Sequence, residues 1–156
     1  MARQRQLYWE DVEVGNELTP LPQIATTQTL VKFCGAEGDF NPLHYEDTFA
    51  ASQGVGKPIL LGELKRGWLV QLITDWIGEQ GDLRKLSYQF RGVDHPRLMK
   101  SAKEYQEGET WLCKGKVTKK YTEGDEHRVD CDIWLENGKG EVTTQGKVTV
   151  ALPSRG

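Results

Sequence analysis

The sequence predicts an α+β fold in which one long helix lies across an antiparallel sheet. Three observations carry this. Leu64, Trp68, Leu69, Leu72, Ile73, Trp76 and Ile77 recur at three- and four-residue spacing, the pattern of a helix with one apolar face. The remainder of the chain reads as strands, and its last segment alternates apolar and polar residues. Turn signals separate strands at Thr122-Glu123-Gly124-Asp125 and at Asn137-Gly138, the latter expected to take φ > 0 at both central positions. A helical stripe carrying two tryptophans needs a large cover, and a single antiparallel sheet is the economical one.

The elements follow in order. Residues up to about Thr27 read as irregular chain with one strand, broken by Pro20 and Pro22. Thr26-Thr27-Gln28 opens a short helix over Thr29–Ala36, anchored by Leu30, Val31 and Phe33 and stopped by Gly35 and Gly38. Gly38 to Pro58 is rich in Gly, Pro, Asn and Asp, with a helical turn at Phe49-Ala50-Ala51. The long helix starts at Gly62 and ends at Gly78. Four strands follow, at Lys85–Val93, Trp111–Tyr121, His127–Leu135 and Glu141–Leu152, the last with Val142, Val148, Val150 and Leu152 on one face. No repeat or linker divides the 156 residues, so one domain over 1–156 is expected.

Composition narrows the function. A formal charge of −3 and a pI near 5.7 argue against a general nucleic-acid binder. No apolar run approaches the roughly 18 residues of a membrane span, and the first residues lack the apolar core of a signal peptide. Cys34, Cys113 and Cys131 are odd in number and contain no Cys-x-x-Cys pair. They read as reduced, buried thiols of a cytoplasmic protein.

The stretch with chemical content is Glu37-Gly38-Asp39-Phe40-Asn41-Pro42-Leu43-His44. Pro42 pushes Asn41 out of the helical region, so Asp39 and His44 lie on a bent loop where a carboxylate and an imidazole can converge. Such a pair can hold a water, one partner as base and the other as acid, and an imidazole with a free pKa of about 6.5 suits either role. The plainer reading is a turn capped by Asp39 beside an ordinary half-buried histidine. Gly62 weighs against it. It follows Lys57-Pro58-Ile59-Leu60-Leu61 at the mouth of the apolar helix, where amides lack partners and the helix dipole is positive. Without a side chain, it lets a ligand oxygen reach the backbone N–H. An acid–base pair beside an amide donor suits hydration of a conjugated thioester. The carbonyl is polarised, water loses a proton as it attacks the β-carbon, and a proton reaches the α-carbon.

The order and spacing of Gly38-Asp39-Phe40-Asn41-Pro42-Leu43-His44, Phe49-Ala50-Ala51, Pro58-Ile59 and Gly62 resemble those of MaoC-like dehydratases and (R)-specific enoyl-CoA hydratases. The opening Tyr8-Trp9-Glu10-Asp11-Val12-Glu13-Val14-Gly15 is similar to theirs as well, and the match runs from about Thr27 to Gly78. The resemblance implies a hot-dog fold, a sheet wrapped around a central helix. It implies syn hydration of trans-2-enoyl thioesters to (R)-3-hydroxyacyl thioesters, or the reverse, with Asp39 and His44 as the catalytic pair. Asn41 and Gly62 would bind substrate, the Gly62 amide at the thioester oxygen, with no metal or redox cofactor. CoA or acyl carrier protein would carry the acyl group. A homodimer, an assembly of dimers or a pairing with a different hot-dog subunit is expected, and Trp68, Trp76 and Ile77 give an apolar reason for such packing.

Two departures stand out: Leu61-Gly62-Glu63 where the family usually has His-Gly-Met, and Val70 where many members have serine. Glu63 reads as a first-turn acid complementing the helix dipole. A non-catalytic partner subunit and an acyl thioesterase are the alternative functions. The basic residues between Arg97 and Lys120 read as a solvated strand face, with Lys116 near Asp132, and not as a site for CoA phosphates. His95, next to Pro96, reads as a strand end, and Asp39, His44 and the cysteines lack the spacing of a zinc site.

Overall fold

The computed structural model describes residues 5–156. Its elements are β1 (Leu21–Gln23), α1 (Thr27–Glu37), α2 (Asp47–Ser52), α3 (Gly62–Ile77), β2 (Asp82–Phe90), β3 (Trp111–Glu123), β4 (Glu126–Glu136) and β5 (Val142–Leu152), with 3-10 turns at Trp9–Asp11 and Pro42–His44. The strands make one antiparallel sheet in the order β1-β3-β4-β5-β2. α3 packs against β2 through β5, which is the hot-dog arrangement of sheet around helix.

The core sits between α3 and the sheet. Leu64, Trp68, Leu69, Leu72, Ile73 and Ile77 bury one face of the helix against Trp111, Cys113 and Val117 of β3, Val129, Cys131, Ile133 and Leu135 of β4, and Val148 and Val150 of β5. Period-two alternation on the strands meets the helical stripe, so each element offers its apolar face to the other. Trp68 tilts against Trp111 with ring centroids 5.7 Å apart. Truncating a fully buried residue here, such as Leu69, costs about 2–5 kcal/mol.

This packing corrects one expectation. Trp68 and Ile77 are only 7% and 2% exposed within the subunit, and Trp76 packs partly against the same core. The sheet consumes the stripe, which therefore gives no reason for subunit pairing.

Local chemistry moves several boundaries. α1 begins at Thr27 because Thr26 caps it: the Thr29 amide donates to Thr26 Oγ1 and the Thr26 amide to Thr29 Oγ1, both at 3.1 Å. Gly35 lies inside α1, Gly38 (φ 81°) ends it, and Val31 is exposed, not an anchor. β2 starts at Asp82 through a bulge between Leu83 and Lys85 and stops at Phe90, after which the Arg91 and Gly92 amides both donate to the Thr143 carbonyl. The Asn137-Gly138 turn has no positive φ at either residue. Asn137 Oδ1 instead accepts from the Lys139 and Glu141 amides, and Gly140 takes the left-handed position at φ 79°. Lys116 does lie opposite Asp132. All three cysteines are free and buried.

Candidate active site

Gly38 closes α1 in the left-handed conformation and turns the chain at Asp39. Asp39 Oδ1 accepts from the Asn41 amide at 3.0 Å, and Asn41 Oδ1 accepts from the Leu43 amide at 3.0 Å. These are two side-chain-built turns in succession. Asn41 sits at φ −63°, ψ 120°, and Pro42 opens the 3-10 turn that ends at His44. The Tyr45 hydroxyl donates to the Phe40 carbonyl at 2.7 Å and closes the loop.

The result places His44 Nε2 3.8 Å from Asp39 Oδ2. That is too long for a direct hydrogen bond and leaves both atoms free to hold one water. His44 Nδ1 lies 2.8 Å from the Ile59 carbonyl oxygen. A carbonyl only accepts, so Nδ1 carries a proton, and in the neutral tautomer this selects, Nε2 is the acceptor on the side of Asp39. The imidazole is 10% exposed and the carboxylate 47%: one partner is fixed in the protein, the other open to incoming molecules. Asp39 thus caps the turn with one oxygen and faces His44 with the other. The Asn41 side-chain oxygen is engaged by the turn itself.

The segment Pro58–Leu61 connects this pair to α3. The Ile59 amide donates to the Leu43 carbonyl and the Leu60 amide to the Asp94 carbonyl, at 3.3 and 2.9 Å. Leu61 enters the helix without a side-chain cap, so Gly62 opens α3 with its amide at an uncapped helix end. A Cβ on Gly62 would collide with the Phe90 ring. Glu63, in the first turn, takes a hydrogen bond from the Tyr88 hydroxyl at 3.2 Å and pairs with Arg66 Nε at 2.6 Å, which fits an acid complementing the helix dipole.

The structure therefore brings Asp39 and His44 together and ties His44 to the residue three before Gly62. Sequence reasoning missed Lys65 and Asp94, a buried ion pair at 2.8 Å directly behind Gly62. The signal was a lysine inside the apolar stripe, three residues before Trp68 and four before Leu69. His95 lies in the loop after β2, its Nδ1 3.0 Å from the Pro58 carbonyl. Of the basic stretch, Lys114 pairs with Glu136, and Lys119 and Lys120 lie over the rings of Tyr121 and Trp9. Among the described residues, no group of three or more His, Cys, Asp and Glu side chains is placed to hold a metal ion, and no helix is long and apolar enough to cross a membrane.

The chain matches the MaoC-like domain over residues 11–122. No curated protein matches it. Among solved structures, it superposes on the (R)-hydratase from A. caviae involved in PHA biosynthesis with a TM-score of 0.76, at 21% identity over 92% of this chain and 99% of that one. The unliganded R-hydratase PhaJ1 from Pseudomonas aeruginosa gives a TM-score of 0.80 at 18% identity, covering 96% and 88%. A chain of the ChsH1-ChsH2 complex from Mycobacterium tuberculosis gives 0.72 at 18% identity, covering 90% and 98%. At these identities the likeness is one of fold.

Proposed function

The chain belongs to the MaoC-like domain family, and from that premise we propose that it adds water reversibly across the double bond of a trans-2-enoyl thioester, giving an (R)-3-hydroxyacyl thioester. One observation carries the reading: His44 Nε2 and Asp39 Oδ2 face each other at 3.8 Å, with the imidazole tautomer set by Ile59.

A water between the two acceptors points its protons at them and its lone pair at the β-carbon of the enoyl group. The Gly62 amide donates to the thioester oxygen and stabilises the negative charge that develops there. The C–O bond forms as the Asp39–His44 pair takes the water's proton. The pair then supplies a proton to the α-carbon, and the charge on the thioester oxygen collapses. Water and proton arrive from one loop, hence from one face of the double bond, which makes the addition syn. Dehydration runs the same steps backward. CoA or acyl carrier protein carries the acyl group, and a second hot-dog subunit, a copy of this chain or a related one, completes the assembly.

The test is loss of enoyl absorbance when the protein meets crotonyl-CoA, with chiral analysis of the product. Asp39→Asn and His44→Ala should each lower the rate by about 10²–10⁴ with circular dichroism unchanged. Wild-type rates in both variants would end the Asp–His mechanism. Release of free thiol without water addition would make the protein a thioesterase instead. Native mass analysis, with and without a candidate partner subunit, reads the assembly.

A further inference from the structure

The ion pair behind Gly62 takes no part in the chemistry above, yet three parts of the chain converge on it. Asp94 Oδ2 accepts from Lys65 Nζ at 2.8 Å and Asp94 Oδ1 from Trp111 Nε1 at 2.9 Å. The Asp94 backbone carbonyl accepts from the Leu60 amide at 2.9 Å. Lys65 Nζ donates in addition to the Gly92 carbonyl at 3.0 Å and lies 5.4 Å from the centroid of Phe90, the ring packed on Gly62.

The side chains of Lys65 and Asp94 are 4% and 2% exposed. Removing two ions from water carries a penalty that an apolar pair of equal volume would avoid, and simple anchoring does not require it. What the charges add is a fixed geometry. Asp94 grips Leu60 through its backbone and the first turn of α3 through its carboxylate. Between those two grips and His44 runs the short segment whose Ile59 carbonyl orients the imidazole and whose end presents the Gly62 amide.

We propose that Lys65 and Asp94 are positioning residues that fix the spacing between the His44 ring and the Gly62 amide, so that their charge pair governs turnover and not substrate affinity. This rests on the hydratase reading. Catalysis of this kind is sensitive to placement at the ångström scale.

The deciding variant is the double substitution Lys65→Met/Asp94→Asn, which removes both charges and leaves an amide oxygen for Trp111. Crotonyl-CoA hydration is measured beside wild type and Asp39→Asn, normalised to folded protein. The expected result is a loss of about tenfold to a hundredfold in kcat, KM within about twofold, and an unchanged shape of the kcat–pH profile. Wild-type kcat, or a loss confined to KM, overturns the proposal. Should the double variant fail to fold, Asp94→Asn alone decides: it removes the carboxylate of the pair and keeps an oxygen for Trp111 Nε1. A kcat loss of about threefold or more at constant KM supports positioning, and wild-type kcat overturns it. If wild type hydrates nothing, the hydratase reading itself falls; if Asp39→Asn keeps the wild-type rate, the role of Asp39 in it falls. If Asp39→Asn is inactive while the double variant turns over normally, only the positioning role falls.

Discussion

His44 holds the carbonyl of Ile59 through Nδ1 at 2.8 Å, so the ring's orientation is set from the side away from Asp39. Asparagine can reproduce that donor without supplying Nε2. His44→Asn should therefore keep stability within about 1 kcal/mol of wild type and still lose about 10²–10⁴ in hydration rate. His44→Ala leaves the Ile59 carbonyl without its partner and should in addition destabilise by about 1–3 kcal/mol. Denaturant unfolding beside the crotonyl-CoA assay checks both, and equal stability of the two variants would contradict the orienting role.

Gly62 meets two demands at once, the Phe90 ring packed on it and the approach of a thioester oxygen. Gly62→Ala should lower hydration by about tenfold or more. Because Phe90 is exposed enough to swing aside, the variant should remain folded. Gly62→Ala/Phe90→Ala removes the collision and should stay impaired. Recovery of activity in the double variant would assign the glycine to ring packing alone.

Hydrogen bonds from Lys114 and then Trp134 hold the Glu136 carboxyl below its ordinary range, against a smaller opposing effect of burial. A pKa depressed on folding stabilises above the unfolded value of about 4.3, and the contribution is lost as pH falls through the folded value. Lys114→Met should lower the melting temperature at pH 7, with an effect below about 1 kcal/mol. At a pH below the folded value the two curves should merge. An equal gap at both pH values would show that the contact carries no proton-linked stability.

Burial pushes the Cys113 and Cys131 thiols up to about 12, and burial together with the nearby Asp39 and Glu37 carboxylates raises Cys34. At pH 8 the native protein should resist iodoacetamide, since the thiolate is the reacting form. In guanidinium all three cysteines should label, as mass spectrometry would show. Rapid native labelling of Cys113 or Cys131 would mean that the α3–sheet core opens.

The features legible in the sequence are those decided within a few residues. The stripe of α3 is a local periodicity, and the Asp39–His44 loop is bent by Pro42 and by two side chains that bond to the amides two residues on. What escaped is set by packing at a distance. Lys65 meets Asp94 across 29 residues of chain, and no local pattern pairs them. The bulge that starts β2 at Asp82 depends on β5. At Asn137 the side chain bonds the following amides and displaces the two-residue turn that the dipeptide alone suggests. The stripe shows which face of α3 is apolar and calls for a sheet to cover it, yet not that this cover takes up Trp68 and Ile77 so fully that neither is left for a partner.

Among the described residues, strand β2 pairs only with β5, from Asp82 opposite Ala151 to Phe90 opposite Thr144. During synthesis β2 leaves the ribosome long before that partner exists. Through the making of β3 and β4 the nascent chain carries α3 with its cover incomplete and β2 without a ladder, a stage open to aggregation. Closure joins segments roughly 60 residues apart, a non-local contact of the kind that makes folding slow. The last strand to be made is the one that locks the helix bearing Gly62 into its sheet.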